Sequence, residues 1–267
     1  MATLQQVNQH RDLVHDIVTV ALSDLVKAWR SFTLDDAREA EAQLKGMLPQ
    51  IVDGYGYSVA DLSADWYDEL RDDAKALGRY VAKPGDLPAA QQAQALAGWA
   101  ASPLYQESPD SVLALSRAAG GLQRLIAGVD RQTQQLNVAA DPATVTFVRQ
   151  AQAGACAFCA MLSTRSAVYA SKRAALTVVG RGTEKRFDGS TIDRLRKGIK
   201  ARGVRQIGDS YHDHCRCEAV PYWSGQDLEL GPHDIAYTDA YLAATDSVGH
   251  GDTKAILAEM RTTLGTH

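Results

Sequence analysis

The cysteines of this chain set the strongest limit on its fold, because all four fall in two short clusters. Cys156 and Cys159 are separated by two residues, a spacing that lets both thiolates reach one tetrahedral zinc ion at about 2.3 Å. The second cluster offers four further ligands: His212, His214, Cys215 and Cys217. Two of these complete a closed set, either all cysteine or three cysteines with one histidine. The spacing therefore predicts a structural zinc site that joins two distant parts of the chain.

The long segment between the clusters does not argue against this site. Closing a loop of that length costs about 4 kcal/mol in chain entropy, whereas structural zinc contributes about 10–16 kcal/mol. Cys217 is favoured as the third ligand, with Cys215 or His212 as the fourth and His214 as a further candidate. Cys215 and Cys217 share one face of an extended strand, while a turn would bring His212 beside Cys215.

Three alternative roles for the cysteines are weaker. Buried cysteines often pack as small apolar residues, but that does not explain the adjacent histidines. The stretch CAFC lacks the proline usual in a redox pair, and the second cluster would then have no role. A disulfide framework is disfavoured in the cytoplasm. The first residues lack a secretory signal, and the apolar run IVTVAL is too short to span a membrane, so we expect a cytoplasmic protein.

The composition, 45% hydrophobic and 22% charged over 267 residues, is typical of a globular protein with one large or two modest domains. A net charge of −4 and a pI near 6.0 argue against a dedicated nucleic-acid binder. We expect a mainly α fold with a small α+β, zinc-stapled C-terminal domain. The predicted divisions are a helical module at 1–140, a zinc-binding domain at 141–223 and an acidic extension at 224–267.

Apolar residues at steps of three and four predict a helix from about Leu4 to Phe32. Thr33, with Asp36 three residues later, is the predicted cap of the next helix. The glycines of VDGYGY predict a bend, and AKPGDLP predicts a break.

Two further helix starts are predicted from caps followed by proline. Ser108 is one, ahead of Pro109 in the first turn, and Asp141 with Pro142 repeats the device. Beyond these, ALTVVGRG and CEAVPYW are predicted strands. The acidic tail is predicted to be a loosely packed extension that ends in a short helix near 254–264.

The stretch from Arg165 to Arg205 contains twelve basic residues and three acidic ones. Such a segment is either a solvated face or a patch that contacts DNA phosphates or an acidic protein surface. The residues favour neither alternative.

Motifs of catalysis are scarce. The sequence contains no G-x-S-x-G, H-E-x-x-H or Walker loop. Ser210, His212 and Asp213 are adjacent, but catalytic triads are assembled from distant segments. The second cluster also holds more candidate ligands than a catalytic zinc, with its open position, requires. The site is therefore predicted to be structural, and the sequence favours a structural protein over an enzyme while leaving an enzyme as the alternative.

The sequence CAFCAML…YHDHCRC…VPYW resembles the C-terminal domain of the Mu F-like (MuF) minor capsid, or head morphogenesis, proteins of tailed phages. That family carries a C-x-x-C followed by H-x-x-C-x-C, commonly as HPNCRC. The pattern is met here by Cys156, Cys159, His212, Cys215 and Cys217. Asp213 and His214 depart from it, since they stand where the family often has proline and asparagine. The resemblance covers roughly 142–223.

The resemblance implies a protein of the phage head, present in a few copies and associated with the portal, the capsid or scaffold proteins and the genome entry route. It implies the host cytoplasm during assembly and the head interior of the virion as locations. Relatives with this layout are often labelled capsid maturation protease, which is one alternative. A zinc-stabilised nuclease of the HNH type is the other, because HDH beside a cysteine pair is similar to the metal-binding core of such nucleases.

Overall fold

The computed structural model describes residues 2–143, 145–164, 217–223, 229–249 and 252–266, and the backbone of two short strands at 183–185 and 191–193. The described chain is mainly helical, as predicted. The helical part comprises α1 (Leu4–Trp29), α2 (Ala37–Asp73), α3 (Ala90–Ala101), a 3-10 turn (Ser102–Tyr105) and α4 (Ser111–Ala140). The rest comprises β1 (Val145–Gln150), α5 (Ala157–Ser163), β2 (Thr183–Lys185), β3 (Thr191–Asp193), β4 (Glu218–Trp223), α6 (Pro232–Val248) and α7 (Thr253–Leu264).

The predicted first helix is confirmed as α1, which ends at Trp29 rather than Phe32. Thr3 caps its first turn by accepting a hydrogen bond from the Gln6 backbone N–H, and the Gln6 side chain accepts one from the Thr3 N–H in return. The apolar stripe of α1 is buried against α2 and α4, and it includes Val14, Val18, Ala21 and Leu25. Burial of this stripe stabilises the helix far more than its intrinsic propensity does.

The second helix differs from its prediction in its N-cap and in the bend expected at VDGYGY. Asp36, not Thr33, is the N-cap, because the Asp36 carboxylate accepts from the backbone N–H groups of Arg38 and Glu39. The glycines of VDGYGY do not bend the chain, since α2 continues through them. The Gly56 Cα instead allows close approach of Leu87, whose Cδ2 would lie 2.9 Å from an added Cβ.

The fourth helix also begins and ends at residues other than those predicted. Its N-cap is Asp110 rather than Ser108. Asp141 does not start a helix, because it closes α4 and the chain then enters β1. The β-branched residues of β1 favour an extended conformation. The Asp141 carboxylate accepts hydrogen bonds from Arg71 and from the Ala143 N–H, so it does not cap a following helix.

A close contact between α3 and α4 gives the first testable prediction. An added Cβ at Gly121 would overlap the Cδ atoms of Leu96 and lie 3.0 Å from its Cγ. Gly121→Ala is therefore expected to lower the free energy of unfolding by about 1–3 kcal/mol through overpacking. Gly128→Ala on the same helix is the control, because nothing lies within 4 Å of its Cβ position. That variant is expected to gain about 0.5–1 kcal/mol from helix propensity. Urea denaturation measures both, and equal shifts would contradict the prediction.

The small β component has one sheet that involves β1 and β4, paired antiparallel from Val145↔Trp223 to Gln150↔Glu218. The predicted strand CEAVPYW is thus confirmed, with its first residue, Cys217, just outside β4. β2 pairs with β3 in a second antiparallel pair, and the predicted strand ALTVVGRG lies outside the described residues. The β1–β4 sheet packs on α2 through an apolar cluster that includes Trp66, Tyr67, Leu70, Val148, Val220 and Trp223.

The acidic tail is packed rather than loose, contrary to the expectation. The predicted last helix is confirmed as α7, and α6 precedes it. Both helices pack on α5 and contribute buried residues to one apolar cluster: Tyr237, Ala240, Ala244, Ile256 and Met260. Aspartates are frequent in this tail, but its apolar residues recur at helical spacing and cover α5.

Candidate metal centre

Three of the five predicted zinc ligands lie in one apolar cluster. Cys159 and Cys217 are buried in it, and the partly buried Cys156 packs against it. The pairing of Gln150 with Glu218 places Cys217 opposite Ala151, and α5 begins a few residues later along the chain. The sheet register therefore places the two halves of the cysteine pattern in the same apolar cluster. His212 and Cys215, like His214, lie outside the described residues.

The turn that leads into α5 is held by the tail. The Tyr237 hydroxyl accepts a hydrogen bond from the Ala155 N–H at 3.0 Å and donates to the Gln152 carbonyl at 2.7 Å. The imidazole Nε2 of His233 contacts the Ala151 carbonyl at 3.1 Å. These bonds fix the backbone just before Cys156, which is the N-cap of α5. The tail thus positions the first cysteine pair.

A separate group of potential ligands, which we call the polar cluster, lies beside the cysteines and was not predicted. His10 of α1, Asp130 of α4 and Glu218 at the start of β4 are all buried, and one ligand atom from each lies within 4.8 Å of the others. The His10 Nε2 is 2.7 Å from the Asp130 Oδ1, and the Ser63 hydroxyl donates to the same oxygen at 2.5 Å. These residues join α1, α2, α4 and the sheet.

Cationic and aromatic groups surround this polar cluster. The indole of Trp66 stacks on the His10 ring, with centroids 3.9 Å apart and planes within 6° of parallel. Arg11 brings its Nε to 3.9 Å from Glu218 Oε1. Arg131 donates from its Nε to the Cys217 carbonyl at 2.8 Å. That bond connects the polar cluster directly to the backbone of the cysteine cluster.

The two buried carboxyls have opposite pKa shifts. Burial opposes ionisation of Asp130, yet the charge interaction with His10 and hydrogen bonds from His10 and Ser63 hold its pKa below the ordinary value. Burial and the adjacent Asp130 raise the pKa of Glu218 well above the ordinary value, against the opposing effect of Arg131 and Arg11. Asp130 is therefore the ionised member of the pair at neutral pH.

This arrangement differs from a Ser-His-Asp triad. In a triad the imidazole lies between the hydroxyl and the carboxylate and takes the proton of the hydroxyl. Here Ser63 and His10 both bond to one oxygen of Asp130, and all three side chains are buried. The geometry supports a structural or ligand-holding role rather than nucleophilic catalysis.

Sequence reasoning assigned His10 to no site, and the structure shows that this histidine is buried. It missed the partners, since Asp130 is 120 residues away. A signal was present, because His10 and Arg11 occupy the buried stripe of α1 between Val7 and Val14. Charged residues on a buried stripe require partners inside the protein.

No helix among the described residues is long and apolar enough to cross a membrane. A family model described as VG15 protein matches residues 1–244. The chain belongs to the VG15 protein family. It is therefore a phage-encoded protein, and the family match extends from α1 through the sheet and most of α6. Both cysteine clusters and the His10–Asp130–Glu218 cluster lie inside the matched region. No curated protein and no solved structure matches the chain.

Proposed function

We propose that this phage-encoded chain is a minor capsid, or head morphogenesis, protein with a structural zinc site. The observation that carries the proposal is the gathering of Cys156, Cys159 and Cys217 in one cluster by the β1–β4 register. That grouping joins the two halves of the motif on which the MuF resemblance depends. Family membership supports the phage setting. The pairing of distant segments supports a structural role rather than a catalytic one.

The zinc ion is held by Cys156, Cys159, Cys217 and one residue of the second cluster, which is Cys215, His212 or His214. A tetrahedral set of thiolates and imidazole is typical of a closed structural site. The ion fastens the segment 160–216 at both of its ends. In this proposal the zinc stabilises the surface that the segment presents, and it takes no part in a reaction.

The partners are the portal and the capsid or scaffold proteins, contacted at the procapsid interior. The segment from Arg165 to Arg205 supplies the positive charge for a contact with DNA at the genome entry route. Binding of this kind weakens steeply as salt is raised, because it releases counterions from the phosphates. The protein is present in the host cytoplasm during assembly and in the head interior afterwards.

The assembly role predicts that the chain is part of the particle. Mass spectrometry of purified virions and procapsids is expected to detect it in far fewer copies than the major capsid protein. Pull-down from infected cells through a tagged copy is expected to recover the portal protein. A tagged copy carrying Cys159→Ser serves as the comparison and is expected to lose the portal.

Absence from both particles would contradict the assembly role. Cleavage of the major capsid precursor by the purified chain would favour a capsid maturation protease instead. Cleavage of DNA with Mg²⁺ would favour the HNH-type nuclease. In either case activity must be lost in His214→Ala with zinc retained, because a contaminating enzyme would be unaffected by that change.

A further inference from the structure

A cleft between α1 and α2 leads to the buried polar cluster. It has a volume of about 190 Å³, and its buried lining residues are His10 and Trp66. Its exposed lining includes the carboxylates of Asp65 and Glu69. Negative charge at the mouth of a cleft raises the local concentration of cations. The cleft thus gives a cation a route to the His10 imidazole.

We propose that the His10 imidazole and the carboxyl groups of Asp130 and Glu218 form a binding site for one divalent transition-metal ion, which displaces the carboxyl proton of Glu218 and is separate from the cysteine site. The three ligand atoms lie within 4.8 Å of one another and come from three different elements. The His10 Nε2 and Asp130 Oδ1 are joined by a hydrogen bond of 2.7 Å, and the imidazole exchanges this bond for coordination of the ion when it gives up its Nε2 proton.

Two oxygens of the cluster support a bound cation. The buried Asp130 and Glu218 carboxyls are joined by a hydrogen bond, and apart from that contact Asp130 Oδ2 and Glu218 Oε2 have no hydrogen-bond partner in the part of the chain that the structure describes. A buried acceptor without its full set of donors is costly, and more so when it is charged. Coordination of a cation by these oxygens removes that cost.

The two arginines beside the cluster set the strength of cation binding. Arg11 Nε lies 3.9 Å from Glu218 Oε1, beyond hydrogen-bonding distance, and the Arg131 Nε donates to the Cys217 carbonyl. Both guanidinium groups repel a cation. We therefore expect weaker binding here than at the thiolate site.

The ligand set indicates the class of metal. One imidazole with two carboxylates suits Mn²⁺, Fe²⁺ or Zn²⁺, whereas a thiolate-rich site selects zinc and binds Mn²⁺ poorly. Mn²⁺ is thus a probe that distinguishes the two sites. A bound ion would fasten α1 and α4 to β4, directly after Cys217, and so link the helical part of the chain to the cysteine cluster.

The test is a Mn²⁺ titration of the full chain, loaded with a single equivalent of zinc that occupies the tighter thiolate site, followed by electron paramagnetic resonance. One Mn²⁺ per chain is expected to bind, with a spin-echo signal from an imidazole nitrogen. Glu218→Gln keeps the shape of the side chain and is expected to weaken Mn²⁺ binding at least tenfold. Glu107→Gln removes one exposed carboxylate far from the cluster in sequence and is expected to bind as the unchanged protein does.

Three results would overturn the proposal. The first is absence of a bound Mn²⁺, which would leave a site that holds only water. The second is unchanged affinity in Glu218→Gln. The third is bound Mn²⁺ without nitrogen coupling. If Glu218→Gln fails to fold, His10→Asn provides the second variant, and the nitrogen signal of the unchanged protein still decides the matter.

Discussion

Replacement of Cys159 by serine is expected to reduce bound zinc from one ion per chain to nearly none. Serine keeps the size of the side chain but replaces the thiolate by a poor zinc ligand. Structural zinc contributes about 10–16 kcal/mol, which is as large as the whole stability of an ordinary domain, about 5–15 kcal/mol. The variant should therefore lose the fold around the cysteine cluster.

The region expected to unfold includes the C-terminal helices α6 and α7. Cys159 is buried among residues of α5, α6 and α7. Loss of the ion is thus expected to expose Tyr237 and Met260 in the tail as well as the residues near β4. The core of α1 to α4 is a separate apolar cluster and is expected to remain folded.

Ala160→Ser is the matched control, because Ala160 is buried on the same helix and the change adds a hydroxyl without removing a thiolate. Elemental analysis should find one zinc in this control. Hydrogen exchange should show lost protection in α5 to α7 of Cys159→Ser alone. A chelator added to the unchanged protein should reproduce that pattern. A metal-free chain that keeps its protection, or full zinc in Cys159→Ser, would refute the site.

The patterns that predicted secondary structure correctly are those with strong periodicity or a β-branched and aromatic composition. The three- and four-residue steps in α1 identify a helix because burial of the stripe drives its formation. The β-branched and aromatic residues of CEAVPYW identify β4 for a similar reason. The cysteine spacing selected residues that lie in one apolar cluster although they are far apart in the sequence, and their binding of zinc stays a prediction.

Caps and breaks were less predictable. Thr33 and Asp36, like Ser108 and Asp110, are both capable caps within a few residues, and only the path of the chain decides which one is used. The glycines near Gly56 predicted a bend because glycine weakens a helix. Packing of the long α2 against α3 and α4 overrides that preference. Local residues therefore could not determine these boundaries.

The tail was mispredicted because its aspartates were weighed more heavily than its apolar spacing. Tyr237, Ala240 and Ala244 recur at steps of three and four, which is a helical stripe. Small residues such as alanine give a weak hydrophobic signal in sequence, yet they let two helices approach closely. The partner of this stripe is α5, whose position depends on the sheet register and has no local signature.

Asp141→Asn is expected to lower the free energy of unfolding by about 3–5 kcal/mol, because it leaves the buried Arg71 guanidinium without its counter-charge. Arg71 Nε donates to Asp141 Oδ2 at 2.8 Å, and the exposed fractions of the two side chains are 7% and 0%. The same carboxylate accepts from the Tyr67 hydroxyl and the Ala143 N–H. Asp141 ends α4 a few residues before β1 begins. Its bond with Arg71 therefore joins α2 to the connection between α4 and the sheet.

The pH dependence provides a second measure of this pair. Burial alone would raise the pKa of Asp141, but the hydrogen bonds from Arg71, Ala143 and Tyr67 outweigh it, and the pKa is lowered. A lowered pKa in the folded state means that the stabilisation is complete above the ordinary carboxyl pKa. It is lost as the pH falls toward the folded value. The stability of the unchanged protein should therefore fall more steeply in acid than that of Asp141→Asn.

Asp110→Asn is the matched control, because Asp110 caps α4 at an exposed position and asparagine caps a helix about as well as aspartate. Urea denaturation from neutral to acidic pH should show a change within about 0.5 kcal/mol for this control. The double variant Arg71→Met with Asp141→Leu should recover part of the loss, since it removes both charges at once. A cost below about 1 kcal/mol for Asp141→Asn, with an acid slope parallel to that of the unchanged protein, would show that the pair does not stabilise the fold.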